Sequence, residues 1–278
     1  MIILIGEKLE PDISEFSYGY AITDELINHR NVRIISAPTF LSTYQEGQQG
    51  GGYDVELDRL SGIPLFLQFK LSHYLCRSSA RERKEGKFRN PYYRMYLRPR
   101  RHSNQHEMLL DLESNGNDVR YCAPTFHTPD ELNLAYLNHE VKERSLWIRP
   151  SWIGYLRDNE THYVAFQLHG RRYVCSEETK ILDKQVSFKQ FIDDITNKIK
   201  EKGQLALKTE NLKKLADFMS EVSKKKMEIS RESIRKTDEI LGDRKPIERI
   251  AFYSSIFFDC QLYIASLRET EENFKART

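Results

Sequence analysis

The chain has 278 residues, enough for one large or two modest domains with real cores. Hydrophobic residues make up 39% and charged residues 30%, a balance that argues against long disorder, and the longest apolar stretches, such as 250–258, fall far short of the ~20 residues a membrane span needs. The formal net charge of +2 hides an uneven distribution: residues 1–76 hold five Lys/Arg against ten Asp/Glu, and residues 77–101 hold ten against two. An acidic region followed by a basic strip is what a site using metal ions on a polyanion would show.

In chain order, Ile13, Phe16, Tyr20 and Ile27 recur at helical spacing, and Asp12 with Glu15 fits a capping box, so a helix is predicted over 13–29. Residues 32–44 are rich in β-branched and aromatic types and read as extended chain, broken by the Gly50-Gly51-Gly52 turn. A strand is predicted over 53–57, with Asp54 and Glu56 on one face, and a second over 63–71. The second strand is apolar except for Gln68 and Lys70, which share a face.

The basic strip 77–101 interleaves arginines with Phe88, Tyr92, Tyr93 and Tyr96, and Pro91 and Pro99 oppose a continuous helix. It is predicted as a long loop whose Arg94, Arg98, Arg100 and Arg101 hold phosphates. A helix over 103–115 and a strand over 118–126 follow, then a helix over 129–144 and two or three strands within 145–175. Trp147 and Trp152 are expected to pack in the core or at a domain interface. After Asp183 the composition shifts. Helices are predicted from Ser187, through Leu212, Leu215, Met219 and Val222, and over 250–267. This gives an α/β domain over 1–183 and an all-α domain over 184–278, the latter for oligomerisation or partner docking.

Cys76, Cys122, Cys175 and Cys260 form no CxxC pair and have no histidine at ligand spacing. They are expected as small buried hydrophobes in a reducing compartment. Met1–Ile5 runs into Gly6-Glu7-Lys8 rather than a cleavage site, so a cytoplasmic location is expected.

Two polar side chains on one face of a buried strand cost desolvation unless they are paired or functional. A hairpin would set Asp54 beside Gln68 and Lys70, and Glu15 or Glu25 on the first helix would complete an oxygen-rich cluster suited to a hard divalent cation.

The order of helix with Glu15, strand beginning Tyr53-Asp54, strand ending Gln68-Phe69-Lys70, helix and strand resembles the core of the PD-(D/E)XK restriction-endonuclease-like superfamily over about residues 12–126. The resemblance implies a mixed β-sheet flanked by helices and a nuclease that hydrolyses phosphodiester bonds with Mg2+ or Mn2+. Asp54 matches the metal-binding aspartate, Gln68 the second acidic position, Lys70 the catalytic lysine and Glu15 the helix glutamate. Two departures stand out: Tyr53 replaces a proline, and Gln68 replaces an acid, so the second ligand brings oxygen but no charge. Glu56 is a compensating candidate. The resemblance further implies nucleic acid, DNA first, as substrate and a role in bacterial anti-phage defence. The competing expectation is an inactive nuclease-fold scaffold, with Gln68 as the mark of lost catalysis.

Overall fold

The computed structural model describes residues 9–35, 57–100, 103–156, 158–176, 179–182, 187–226, 239, 241, 242 and 244–268. Asp54, Glu56 and Arg101, with residues 53–56 of the predicted strand, lie outside the described residues, and its last residue, Leu57, opens a 3-10 turn, Leu57–Arg59, instead. The chain is mixed α/β and divides into two compact units. One is built from residues 1–25, 69–106 and 121–190, the other from 26–68, 107–120 and 191–278.

In the first unit, helix α1 (Glu15–Ile27) starts where Ser14 Oγ accepts the Ser17 amide at 2.9 Å. The cap is therefore Ser14 rather than Asp12, and the helix begins two residues later than expected. Its buried side meets the core through Tyr18, whose ring is edge-on to Phe69 at 5.7 Å and whose hydroxyl donates to Ser145 Oγ at 2.8 Å. Strands β3 (Ser72–Leu75) and β4 (Tyr92–Tyr96) flank the short helix α2 (Arg81–Lys84). The basic strip is thus not a long loop. Its Tyr-Tyr-Arg-Met-Tyr run is β-forming despite the charge around it, and β4 pairs antiparallel with β3 on one side and with β7 (Tyr163–Phe166) on the other. Strands β8 (Arg172–Cys175) and β9 (Lys180–Leu182) extend the same sheet to five strands.

Helix α3 (Gln105–Ser114) and strand β5 (Asp118–Pro124) occupy the predicted positions. Helix α4 (Pro129–Leu137) is closed by a capping box between Thr128 and Glu131. Strand β6 (Ser145–Ile148) pairs antiparallel with β5, and Pro150 then opens the single turn α5 (Pro150–Ile153). Trp147 is fully buried, with Nε1 donating to the Lys142 carbonyl and its ring 5.5 Å from Phe188, which bears out its reading as core.

In the second unit, β1 (Val32–Ile34), β10 (Gln261–Leu267) and β2 (Ile63–Phe69) run antiparallel in that order. The approach of β10 to β2 is close enough that a Cβ on Gly62 would stand 2.6 Å from the Ala265 carbonyl. Helices α6 (Phe188–Ala206), α7 (Thr209–Lys226) and α8 (Pro246–Ile256) supply the rest of the core. The apolar stripes of α6 and α7 are buried, with Ile195 and Met219 fully covered.

The last predicted helix, over 250–267, is corrected. The helix stops at Ile256, Asp259 takes a left-handed φ of 49°, and residues 261–267 form β10. The segment 184–278 is consequently not all-α: its final strand lies between β1 and β2, and from residue 191 it belongs with residues 26–68 and 107–120. No described helix is long and apolar enough to cross a membrane.

Candidate functional site

Strand β2 is buried at every position, and its two polar residues follow the alternation the sequence predicts. Gln68 is 1% exposed and Lys70, one residue past the strand end, 7%. The Gln68 carboxamide donates from Nε2 to Asp259 Oδ2 at 3.4 Å, while its buried Oε1 has no hydrogen-bond partner among the described residues. Lys70 is held by its backbone amide, which donates to the Cys122 carbonyl at 2.9 Å, and its ammonium donates to the Gln105 side-chain carbonyl at 3.5 Å. Both side chains have left bulk water, where an unpaired amide oxygen costs about 1–3 kcal/mol.

The helix carboxylates behave differently. Glu15 is exposed at the first turn of α1. Glu25 is buried and accepts the Val141 and Lys142 amides at 2.9 Å each, with the Lys142 ammonium at 3.2 Å, so it pins the 141–142 turn. His106 is also engaged: one ring nitrogen meets the Tyr121 hydroxyl at 2.9 Å and the other the Gly154 carbonyl at 2.8 Å. Because a carbonyl only accepts, Nε2 carries a proton. Among the described residues no three His, Cys, Asp or Glu side chains gather at metal-binding distance.

The basic strip contains a feature the sequence reading missed. Glu82, fully buried in α2, accepts from the hydroxyls of Tyr92 and Tyr163, the latter at 2.6 Å, and from the Arg94 guanidinium. Arg94 also lies 4.5 Å from the Tyr163 ring centre. Burial pushes the Glu82 carboxyl up, but the three donors outweigh it and bring it down to about 2. Burial and the Glu82 charge push the Cys175 thiol up to about 12. Arg94, expected to hold phosphate, is therefore engaged by a buried carboxylate and only 14% exposed along its side chain. Arg98 and Arg100 are exposed. The one signal for this knot was a glutamate between two arginines, with Tyr92 and Arg94 on one face of the following strand.

Beside the knot lies a cavity of about 840 Å³, whose polar lining includes Arg81, Lys84 and Arg94 together with Glu10 and Glu85. Arg81 and Glu85, one helical turn apart, pair at 2.8 Å on its wall. Three of the cysteines are buried, as expected, and Cys76 is exposed.

No protein-family model, curated protein or solved structure matches the chain.

Proposed function

We propose that the chain is a metal-dependent nuclease that hydrolyses phosphodiester bonds of DNA or RNA, built on a restriction-endonuclease-like core and acting in bacterial anti-phage defence. The observation that carries this reading is the pair Gln68 and Lys70: a carboxamide and an ammonium, two residues apart, taken out of water at the end of an otherwise apolar strand. A strand needs neither group to fold, and each costs desolvation. A buried amide oxygen without a donor also suits a hard cation, which seeks oxygen ligands.

In this reading Asp54 and Gln68 would hold Mg2+ or Mn2+. The metal, when bound, supplies Lewis-acid stabilisation of charge on the phosphoryl oxygens. Lys70 orients the attacking water and offers its positive charge to the oxygen on which negative charge builds. The low-dielectric surroundings of its ammonium strengthen that interaction relative to water. Arg98, Arg100 and Arg101 neutralise backbone phosphates.

Cleavage of single- and double-stranded DNA and RNA in Mg2+ and in Mn2+ tests the assignment. Asp54→Ala and Lys70→Ala are expected to lose about 10³-fold of the metal-dependent rate with an unchanged circular dichroism spectrum. Unchanged cleavage overturns it.

One observation favours the second reading, an inactive scaffold: Gln68 has a structural occupation in its bond to Asp259. Gln68→Glu separates the two. A nuclease tolerates or gains from the added charge, whereas a scaffold stays inert with every metal.

A further inference from the structure

Gln68 brings an oxygen to the proposed metal but no charge, and the structure shows a carboxylate beside it that sequence spacing did not reveal. Asp259 lies 191 positions further along the chain, and its Oδ2 is 3.4 Å from the Gln68 carboxamide nitrogen. Both residues belong to the second unit. We infer that Gln68 and Asp259 form part of a divalent-cation site, in which Asp259 supplies the negative charge that the glutamine lacks. The inference deepens the nuclease reading and rests on it for the identity of the cation as Mg2+ or Mn2+.

Three observations converge on this pair. First, the Gln68 oxygen is buried and has no hydrogen-bond donor among the described residues, while the residue as a whole is 99% covered. The present orientation uses only the nitrogen end of the carboxamide. A half-turn of the amide about its terminal torsion exchanges the two ends and puts an oxygen, rather than an N–H, against the carboxylate. Two oxygens at that separation repel each other unless a cation lies between them, so the arrangement switches with occupancy. Second, Asp259 is exposed while Gln68 is not. The pair thus has a wet side, by which a hydrated cation arrives and on which it retains waters, as these ions do. Third, Asp259 sits at φ 49° in the tight passage from α8 to β10, where the Cys260 amide donates to the Ser254 carbonyl at 2.9 Å. Glycine takes that conformation without steric cost. What aspartate adds over glycine at this point is its carboxylate, aimed at Gln68.

The backbone conformation also supplies clean variants. Asparagine is among the residues that tolerate left-handed φ best, and glycine better still. Asp259→Asn and Asp259→Gly therefore remove the charge without disturbing the turn. The probe is Mn2+ alone, titrated into the full chain and followed by electron paramagnetic resonance, with melting temperature in EDTA as the folding control. Both variants are expected to bind Mn2+ at least tenfold more weakly than the parent chain; in EDTA, Asp259→Asn, which keeps an oxygen to accept from Gln68 Nε2, is expected to melt with the parent, and Asp259→Gly, which leaves that buried N–H without its acceptor, is expected to melt lower. Gln68→Glu is expected to melt lower in EDTA, because two carboxylates then face each other, and to recover on addition of Mn2+.

Parent-like Mn2+ affinity in Asp259→Asn overturns the cation site; if that variant still shows Asp54-dependent cleavage, the nuclease reading survives. Weakened Mn2+ binding in both variants of a chain that cleaves neither DNA nor RNA supports the cation site and overturns the nuclease reading.

Discussion

A buried carboxylate is expensive unless donors surround it, and Glu82 shows how the expense is met: two phenols and a guanidinium converge on one side chain. Replacing it with glutamine leaves Arg94 without its counter-charge, and Glu82→Gln is expected to lower stability by about 3 kcal/mol. The pH profile identifies the cause. The Glu82 carboxyl falls from an ordinary value of 4.5 to about 2 on folding. Between those values the unfolded chain binds more protons than the folded one, so the contribution is complete above pH 4.5 and is lost as pH falls toward 2. It is worth about 3 kcal/mol for a shift of that size. Urea denaturation of the parent chain between pH 5 and 2.5 should show this loss, and Glu82→Gln should not. The contrast with Gln68 and Lys70 explains what was legible at this scale. A polar residue in an apolar strand stands out by local pattern alone, whereas the donors to Glu82 come from β4 and β7, and Asp259 reaches Gln68 from the far end of the chain. No local pattern encodes such pairings.

Among the elements, most follow from periodicity and capping: α1, β2, α3, β5 and α6 lie within a few residues of their predicted spans, and Ser187 caps α6 by accepting the Gln190 amide at 3.2 Å. The two misread elements have different causes. A short apolar run is consistent with either a helix or a strand, and residues 261–267 were read as the continuation of α8 because nothing between them is a strong breaker. The strand wins because partners on both sides satisfy its backbone: Ala265 is opposite Ile34 in β1 and Ile63 in β2. In β4 the arginines hid a β-forming run of tyrosines. Position 265 is the sensitive test. Ala265→Pro removes an N–H from a strand with neighbours on both sides, where no edge is available to accommodate it. It is expected to leave the chain unfolded, whereas Ile264→Ala, at a fully buried neighbour, costs about 3 kcal/mol and leaves a folded chain. Circular dichroism melts of the two variants decide it; a parent-like melt for Ala265→Pro is the result that contradicts the strand.

For the molecule as a whole, charge distribution rather than net charge governs what it binds, and the structure changes how the basic strip should be counted. Ten Lys/Arg occur between residues 77 and 101, but Arg94 is engaged by Glu82, and Arg81 and Lys87 pair with Glu85. A cation already paired with a carboxylate releases few counterions from a polyanion. In the nuclease reading the proposed phosphate contacts are Arg98 and Arg100, exposed at the end of the strip. If roughly five phosphates are neutralised, binding should weaken with salt at a log-log slope of about −4 to −5. Arg98→Gln and Arg100→Gln are each expected to reduce that slope by about 1 while leaving the melting temperature unchanged. Arg94→Gln should do the reverse, lowering the melting temperature because it strands the buried Glu82 charge and leaving the slope as it was. Fluorescence anisotropy with a labelled DNA duplex between 50 and 200 mM salt, paired with thermal melts of the same three variants, reads both quantities. A slope unmoved by Arg98→Gln and Arg100→Gln would remove the strip from the nucleic-acid interface.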